Sequence, residues 1–99
     1  MLNINKKIED NKALFALEGR LDVETSPQLE KELKDSLDNI NELILDFEKI
    51  EYISSAGLRV LLATQKIMFK QGDMKLTNVN KYVMDTFEIT GFSEILTIE

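Results

Sequence analysis

Apolar residues recur along the chain at every second position in some stretches and at helical spacing in others, and the changes between the two patterns outline the elements. Leu2, Ile4 and Ile8 occupy even positions, Ala13 to Leu17 is an apolar pentad, and Asp10-Asn11 between them is a turn signal. A two-stranded hairpin is predicted. Gly19-Arg20-Leu21-Asp22 then leads away from the second strand, and Thr25 followed by Gln28 matches a capping box. Pro27 fits a first helical turn, where its missing N–H is not needed. The helix that opens there carries Leu29, Leu33 and Leu37 on one narrow stripe, with Glu30, Lys31, Glu32, Lys34, Asp35 and Asp38 on its other faces. Asn39-Ile40-Asn41 closes it.

Leu43-Ile44-Leu45-Asp46-Phe47 is short, apolar, and rich in branched and aromatic residues, which favours a buried strand over a helix. The period then changes near Ser54-Ser55. At 100° per residue, Leu61, Leu62, Met68 and Phe69 fall within roughly 80° of Leu58, as a core stripe should. Val60, Ala63 and Ile67 form a second apolar group nearly opposite, which either packs against a neighbouring helix or faces a partner. Gln71-Gly72-Asp73 ends this helix, with Gly72 expected in the left-handed conformation. Met74, Leu76 and Val79 suggest a strand, Asn80 a cap, and Val83, Met84 and Phe87 a last helix stopped by Gly91, with Phe92 folding back. Ile95, Leu96 and Ile98 read as a terminal strand. The order β-β-α-β-α-β-α-β predicts an α/β fold with right-handed crossovers and a mixed, mostly parallel sheet.

With 99 residues and 43% hydrophobic content, the chain predicts a single domain, 1–99, with one core. No apolar run approaches the ~20 residues of a membrane span, and the first residues lack the apolar stretch of a signal peptide, so a cytoplasmic protein is expected. Without cysteine there is no disulfide, thiol catalysis or thiolate metal site; without histidine the usual proton shuttle and the commonest metal ligand are missing. Asp46 and Glu48 share a strand face, but two carboxylates without a third make a weak metal site and read as a solvated strand end. No metal and no cofactor are expected. The net charge of -6 is uneven, because Asp22 to Glu51 holds ten acids against three bases. That balance argues against a nucleic-acid surface and describes either a solvated helix face or a site for a basic protein.

The junction at Ser54-Ser55 carries the candidate chemistry. A serine at a helix entrance can accept a hydrogen bond from an N–H that would otherwise lack a partner, and Gly57 permits close approach to the backbone. The same place offers free N–H groups and the positive end of the helix dipole, so it also tolerates a phosphate carried by serine. Such a phosphate adds about 1.5 to 2 negative charges to a neutral spot and would switch off a surface that binds through it.

Asp46-Phe47-Glu48-Lys49-Ile50-Glu51-Tyr52-Ile53-Ser54-Ser55-Ala56-Gly57-Leu58 resembles the STAS domain family, specifically the bacterial anti-sigma factor antagonists. Leu17-Glu18-Gly19-Arg20-Leu21-Asp22 with Thr25, the Gly72 turn before Met74-Lys75-Leu76, and Phe87-Glu88-Ile89-Thr90-Gly91-Phe92 agree with it. The resemblance implies a small sandwich with helices largely on one side of the sheet. It also implies partner switching: the unmodified antagonist binds an anti-sigma factor that is a serine kinase, which releases the sigma factor for transcription. Phosphorylation by that kinase ends the binding, and a serine phosphatase restores it.

The family's phosphoserine falls on Ser55 and its loop aspartate on Asp22. The implied partner surface comprises Asp22, Ser54, Ser55, Ala56, Gly57, Arg59, Val60 and Ala63. Two departures stand out. Many relatives carry Asp immediately before the target serine, where this chain has Ser54, so Ser54 is an alternative target. Relatives also continue past the last strand into a helix, whereas this chain ends at Ile98-Glu99, so a homodimer or a longer preceding helix is expected to supply the cover. A rival reading keeps the fold as a stand-alone scaffold or transport-associated subunit, with Ser55 only a cap. An enzyme is not expected, because neither serine sits in a Gly-x-Ser-x-Gly elbow, no histidine can serve as base, and no phosphate-binding loop motif is present.

Overall fold

The computed structural model describes residues 2–99. Strand β1 (Leu2–Glu9) and strand β2 (Lys12–Leu21) form the predicted antiparallel hairpin, turning at Asp10 with φ 55°. Helix α1 (Ser26–Ser36) crosses to β3 (Glu42–Ile53), helix α2 (Ser55–Phe69) crosses to β4 (Asp73–Thr77), and helix α3 (Lys81–Thr90) follows. The sheet order is β1-β2-β3-β4, with β2, β3 and β4 parallel. The mixed, mostly parallel sheet is therefore present.

The helices cover the sheet face that carries Phe15, Leu17, Leu43, Leu45, Phe47 and Leu76, all buried. The α1 stripe of Leu29, Leu33 and Leu37 is buried as its spacing requires, and Phe87 of α3 meets Phe47 with ring centroids 6.3 Å apart. Val60 is buried too, in a helix flanked by both α1 and the sheet. The second apolar group of α2 thus resolves toward its own neighbours at Val60, while Ala63 and Ile67 are half-buried.

Strand β3 runs further than its apolar core. It passes Phe47 and continues to Ile53 through two irregularities in its pairing with β2, opposite Ala16/Glu18 and Gly19/Arg20. Each adds one residue to β3, so Ile50 and Ile53 return to the buried face although they break the alternation. Asp46 Oδ1 accepts the Glu48 N–H at 2.9 Å and the Asn78 side-chain N–H at 3.1 Å, which pins the first bulge. Asp46 therefore lies inside the strand and not at a solvated strand end.

Several expectations are corrected. The Thr25/Gln28 capping box does not form; Thr25 makes no side-chain cap bond, and Gln28 donates to the Leu2 carbonyl at 3.1 Å. Phe69 is 83% exposed although Met68 beside it is fully buried, because the buried side of α2 is centred on Leu61, Thr64 and Met68 and Phe69 lies at its edge. Gly72 is not left-handed; its missing Cβ lets the backbone pass the Asn41 carbonyl, which an added carbon would meet at 1.9 Å. Gly91 is left-handed, at φ 84°, as expected of a helix terminator. Asn80 caps α3 by accepting the Val83 N–H at 2.8 Å. The terminal strand shrinks to a single parallel bridge between Leu76 and Ile98, preceded by a 3-10 turn at Phe92–Glu94.

Candidate functional site

The carboxyl ends of β2 and β3 and the start of α2 meet at one end of the sheet. The Ser54 N–H donates to the Leu21 carbonyl at 2.8 Å, so the loop after β2 and the entrance of α2 are tied together. Asp22 and Ser55 become neighbours through that bond. Gly57 makes the contact tight, since a Cβ there would lie 2.8 Å from Ile53 Cγ1 and 3.0 Å from Leu21 Cβ. The close approach at Gly57 is thus filled by the protein's own strands.

The two serines end up in opposite environments. Ser54, with extended backbone, is the residue before α2, and its Oγ is buried without a hydrogen-bond partner; it makes no cap bond, contrary to the serine-cap expectation. Ser55 is exposed in the first turn. Among the described residues, the N–H groups of Ser55, Ala56 and Gly57 have no acceptor, and the first closed helical bond runs from the Leu58 N–H to the Ser54 carbonyl at 3.0 Å. An exposed hydroxyl beside three unpaired donors is a place where added negative charge is compatible with the helix.

Asp22 is built into a turn. Its Oδ1 accepts the N–H of Glu24 and of Thr25, each at 3.0 Å, while the Thr25 hydroxyl donates to the Arg20 carbonyl at 2.6 Å and accepts the Asp22 N–H at 3.0 Å. The Thr25 backbone N–H, with Glu24, the Thr25 hydroxyl and Arg20 assisting against some desolvation, holds the Asp22 carboxyl below the ordinary aspartate range. A second group of residues stands beside it. The Arg20 guanidinium lies 4.4 Å over the Tyr52 ring and 4.0 Å from Asp22 Oδ2, and Tyr52 stacks with Tyr82 at 6.4 Å and 27°. Tyr82 is exposed, so the ladder ends in water. Arg20 and Tyr52 lie inside the quoted motifs, but nothing in the sequence marks Tyr82, which reaches the site only because α3 is capped against the Ile50 carbonyl through Asn80 at 2.8 Å.

Of the remaining predicted surface, Ala56 and Arg59 line a shallow hollow between α1 and α2 together with Val23, Ser26, Pro27 and Glu30. Val60, though buried, also lines it; Gly57 is buried and Ala63 half-buried. Among the described residues, no group of three or more Asp or Glu side chains is placed to hold a metal ion. No helix among the described residues is long and apolar enough to cross a membrane.

A four-stranded mixed sheet with its helices on one side and a serine at the β3–α2 junction defines the class of domain. The STAS domain model matches residues 3–99, and the chain belongs to that family. Within it, the chain is 35% identical over 91 residues to BtrV of Bordetella bronchiseptica, a candidate anti-sigma factor antagonist, covering 90% of this chain and 78% of that one. It is 30% identical to the anti-sigma-B factor antagonist of Bacillus subtilis, covering 98% and 90%. The Bacillus cell fate determinant SpoIIAA, solved in a phosphorylated form, has the same fold at a TM-score of 0.76 and 16% identity, covering 98% and 91%.

Proposed function

We propose that this protein is a cytoplasmic, non-catalytic anti-sigma factor antagonist, switched by phosphorylation of Ser55. The observation that carries the reading is the exposure of Ser55 beside three unpaired amides at the start of α2, with Asp22 fixed next to it. Its relatives' names supply the class of partner, an anti-sigma factor, and the phosphorylated form of a protein with this fold supports the chemistry. The partner's kinase activity transfers the γ-phosphoryl group of ATP: a bond forms from Ser55 Oγ to phosphorus, the bond to the bridging oxygen of ADP breaks, ADP leaves, and the hydroxyl proton passes to a base on the kinase. A serine phosphatase returns the hydroxyl by hydrolysis.

The docking face is formed by Asp22, Ser55, Ala56 and Arg59, with Ala63 at its edge and Gly57, Val60 and Ser54 supporting it from beneath. A partner covering that face must desolvate any phosphate on Ser55 against groups arranged for a neutral hydroxyl. A penalty of about 3 to 4 kcal/mol weakens binding by a few hundredfold, which is enough for a switch. The domain need not refold, because the helix terminus accommodates the charge. Ser55→Asp is expected to abolish binding to the anti-sigma factor in titration calorimetry, and Ser55→Ala to bind while resisting phosphorylation. Equal binding by both variants would remove the proposal. Absence of phosphate on Ser55 by mass spectrometry, after incubation with the kinase and ATP, would move the assignment to a scaffold that is never modified.

A further inference from the structure

The chain has two arginines, and the fold uses them differently. Arg20 is committed, lying over Tyr52 and next to Asp22. Arg59 is exposed on α2 and enters no ion pair among the described residues. In a chain of net charge -6, an unpaired guanidinium needs an explanation.

Its place on the helix decides what it can reach. Residue 59 follows Ser55 by four positions, so the two share a face with Cβ atoms about 5–6 Å apart. Long side chains on a helix lean toward its amino end and cover the turn before their own Cα. Arg59 therefore sweeps the surface around Ser55 and Ala56. The one carboxylate lining the hollow beside it, Glu30, is held by Lys34 at 3.8 Å and leaves the guanidinium unclaimed.

We propose that Arg59 is the internal counter-charge for a phosphate on Ser55. In the unmodified protein it is an open donor on the docking face; after modification it turns back over one helical turn and clamps the phosphate. This rests on Ser55 being the modified residue. The arrangement suits the pair: negative before positive at a separation of four is the favourable order on a helix. The planar guanidinium can also grip two phosphate oxygens at once. Modification then changes the face twice, adding about 1.5 to 2 negative charges and withdrawing the arginine that a partner's carboxylate would meet. A partner selected for the unmodified face loses an attraction as well as gaining a repulsion.

Phosphoserine installed genetically at position 55 of the full chain tests the clamp without any kinase. Phosphorus NMR follows the second ionisation of the phosphate, ordinarily near pH 6. A nearby guanidinium favours the dianion, so the midpoint of the wild-type phosphoprotein is expected to lie about half a pH unit or more below that of the Arg59→Gln phosphoprotein, with Arg59→Lys between them. Glu30 is present in all three and does not produce the difference. The Arg59 Nε–H proton should also shift on phosphorylation. Equal midpoints in the wild-type and Arg59→Gln phosphoproteins would overturn the clamp. Failure of a kinase to modify Ser55 would instead remove the proposed switch, and the two results are separable because the phosphate here is placed by synthesis.

Discussion

At Ser54 the hydroxyl oxygen is closed off from solvent and makes no hydrogen bond, whereas one position later the Ser55 side chain stands in water. A buried, unpaired polar atom destabilises by about 1–3 kcal/mol, so Ser54→Ala is expected to leave stability unchanged or raise it by up to about 1 kcal/mol in urea denaturation. A clear loss would mean that the hydroxyl has a partner after all. Asp22 makes a different prediction. Its folded carboxyl titrates below its ordinary value, chiefly because the Thr25 N–H bonds the charged form. Its contribution to stability is therefore present above the ordinary aspartate value and is lost as pH falls through the lower, folded one. Carbon-detected NMR should place its midpoint below that of the same carboxyl in a short unstructured peptide spanning residues 20–25; coincident midpoints would contradict the turn geometry. The two close-packed glycines form a graded pair. At Gly57 an added carbon meets side-chain atoms at 2.8 and 3.0 Å, while at Gly72 it meets a backbone oxygen at 1.9 Å. Gly57→Ala should cost about 1–2 kcal/mol and Gly72→Ala about 3 kcal/mol or more, since the nearest atom at Gly57 belongs to the movable Ile53 side chain with the Leu21 backbone oxygen no closer than 3.2 Å, while the Asn41 carbonyl cannot move aside.

For whole elements, sequence pattern reveals most where one face alone decides burial. The α1 stripe of Leu29, Leu33 and Leu37 and the Asn80 cap were legible from spacing and chemistry. The end of β3 was not, because the first bulge moves Ile50 out of phase with Leu43, Leu45 and Phe47, and the second restores the phase at Ile53. Strict alternation ends at Phe47, and only the pairing with β2 shows that the strand goes on to the serines. Phe69 failed for a different reason: the buried side of α2 is centred on Leu61, Thr64 and Met68, so a stripe centred on Leu58 is rotated off it and leaves Phe69, like half-buried Leu62, at the edge. Two phenylalanines of similar pattern should therefore separate in chemical denaturation. Phe87→Ala removes a fully buried ring packed on Phe47 and is expected to cost about 3–5 kcal/mol, while Phe69→Ala should change stability by no more than about 0.5 kcal/mol.

Across the whole molecule, the site joins segments that local pattern cannot relate. Asp22 and Ser55 lie far apart in the chain and are brought together by the bond from the Ser54 N–H to the Leu21 carbonyl. Periodicity located the helix entrance, but the role proposed for Ser55 entered through family resemblance, and Tyr82 entered only with the packing of α3. The acidic run from Asp22 to Glu51 is spread over the loops on either side of α1, α1 itself, where Lys6–Glu32 and Glu30–Lys34 pairs form, and β3 from its first residue, Glu42, onward. The last residues do a separate job. The Leu76 N–H donates to the Thr97 carbonyl and the Glu99 N–H donates to the Leu76 carbonyl, each at 2.9 Å, so this short segment occupies the outer rim of β4. Trimming the chain after Leu96 would bare hydrogen-bonding groups that another molecule could claim. Light scattering should then rise with protein concentration for the trimmed form and stay flat for the intact one, which would give the final three residues the role of a guard against aggregation.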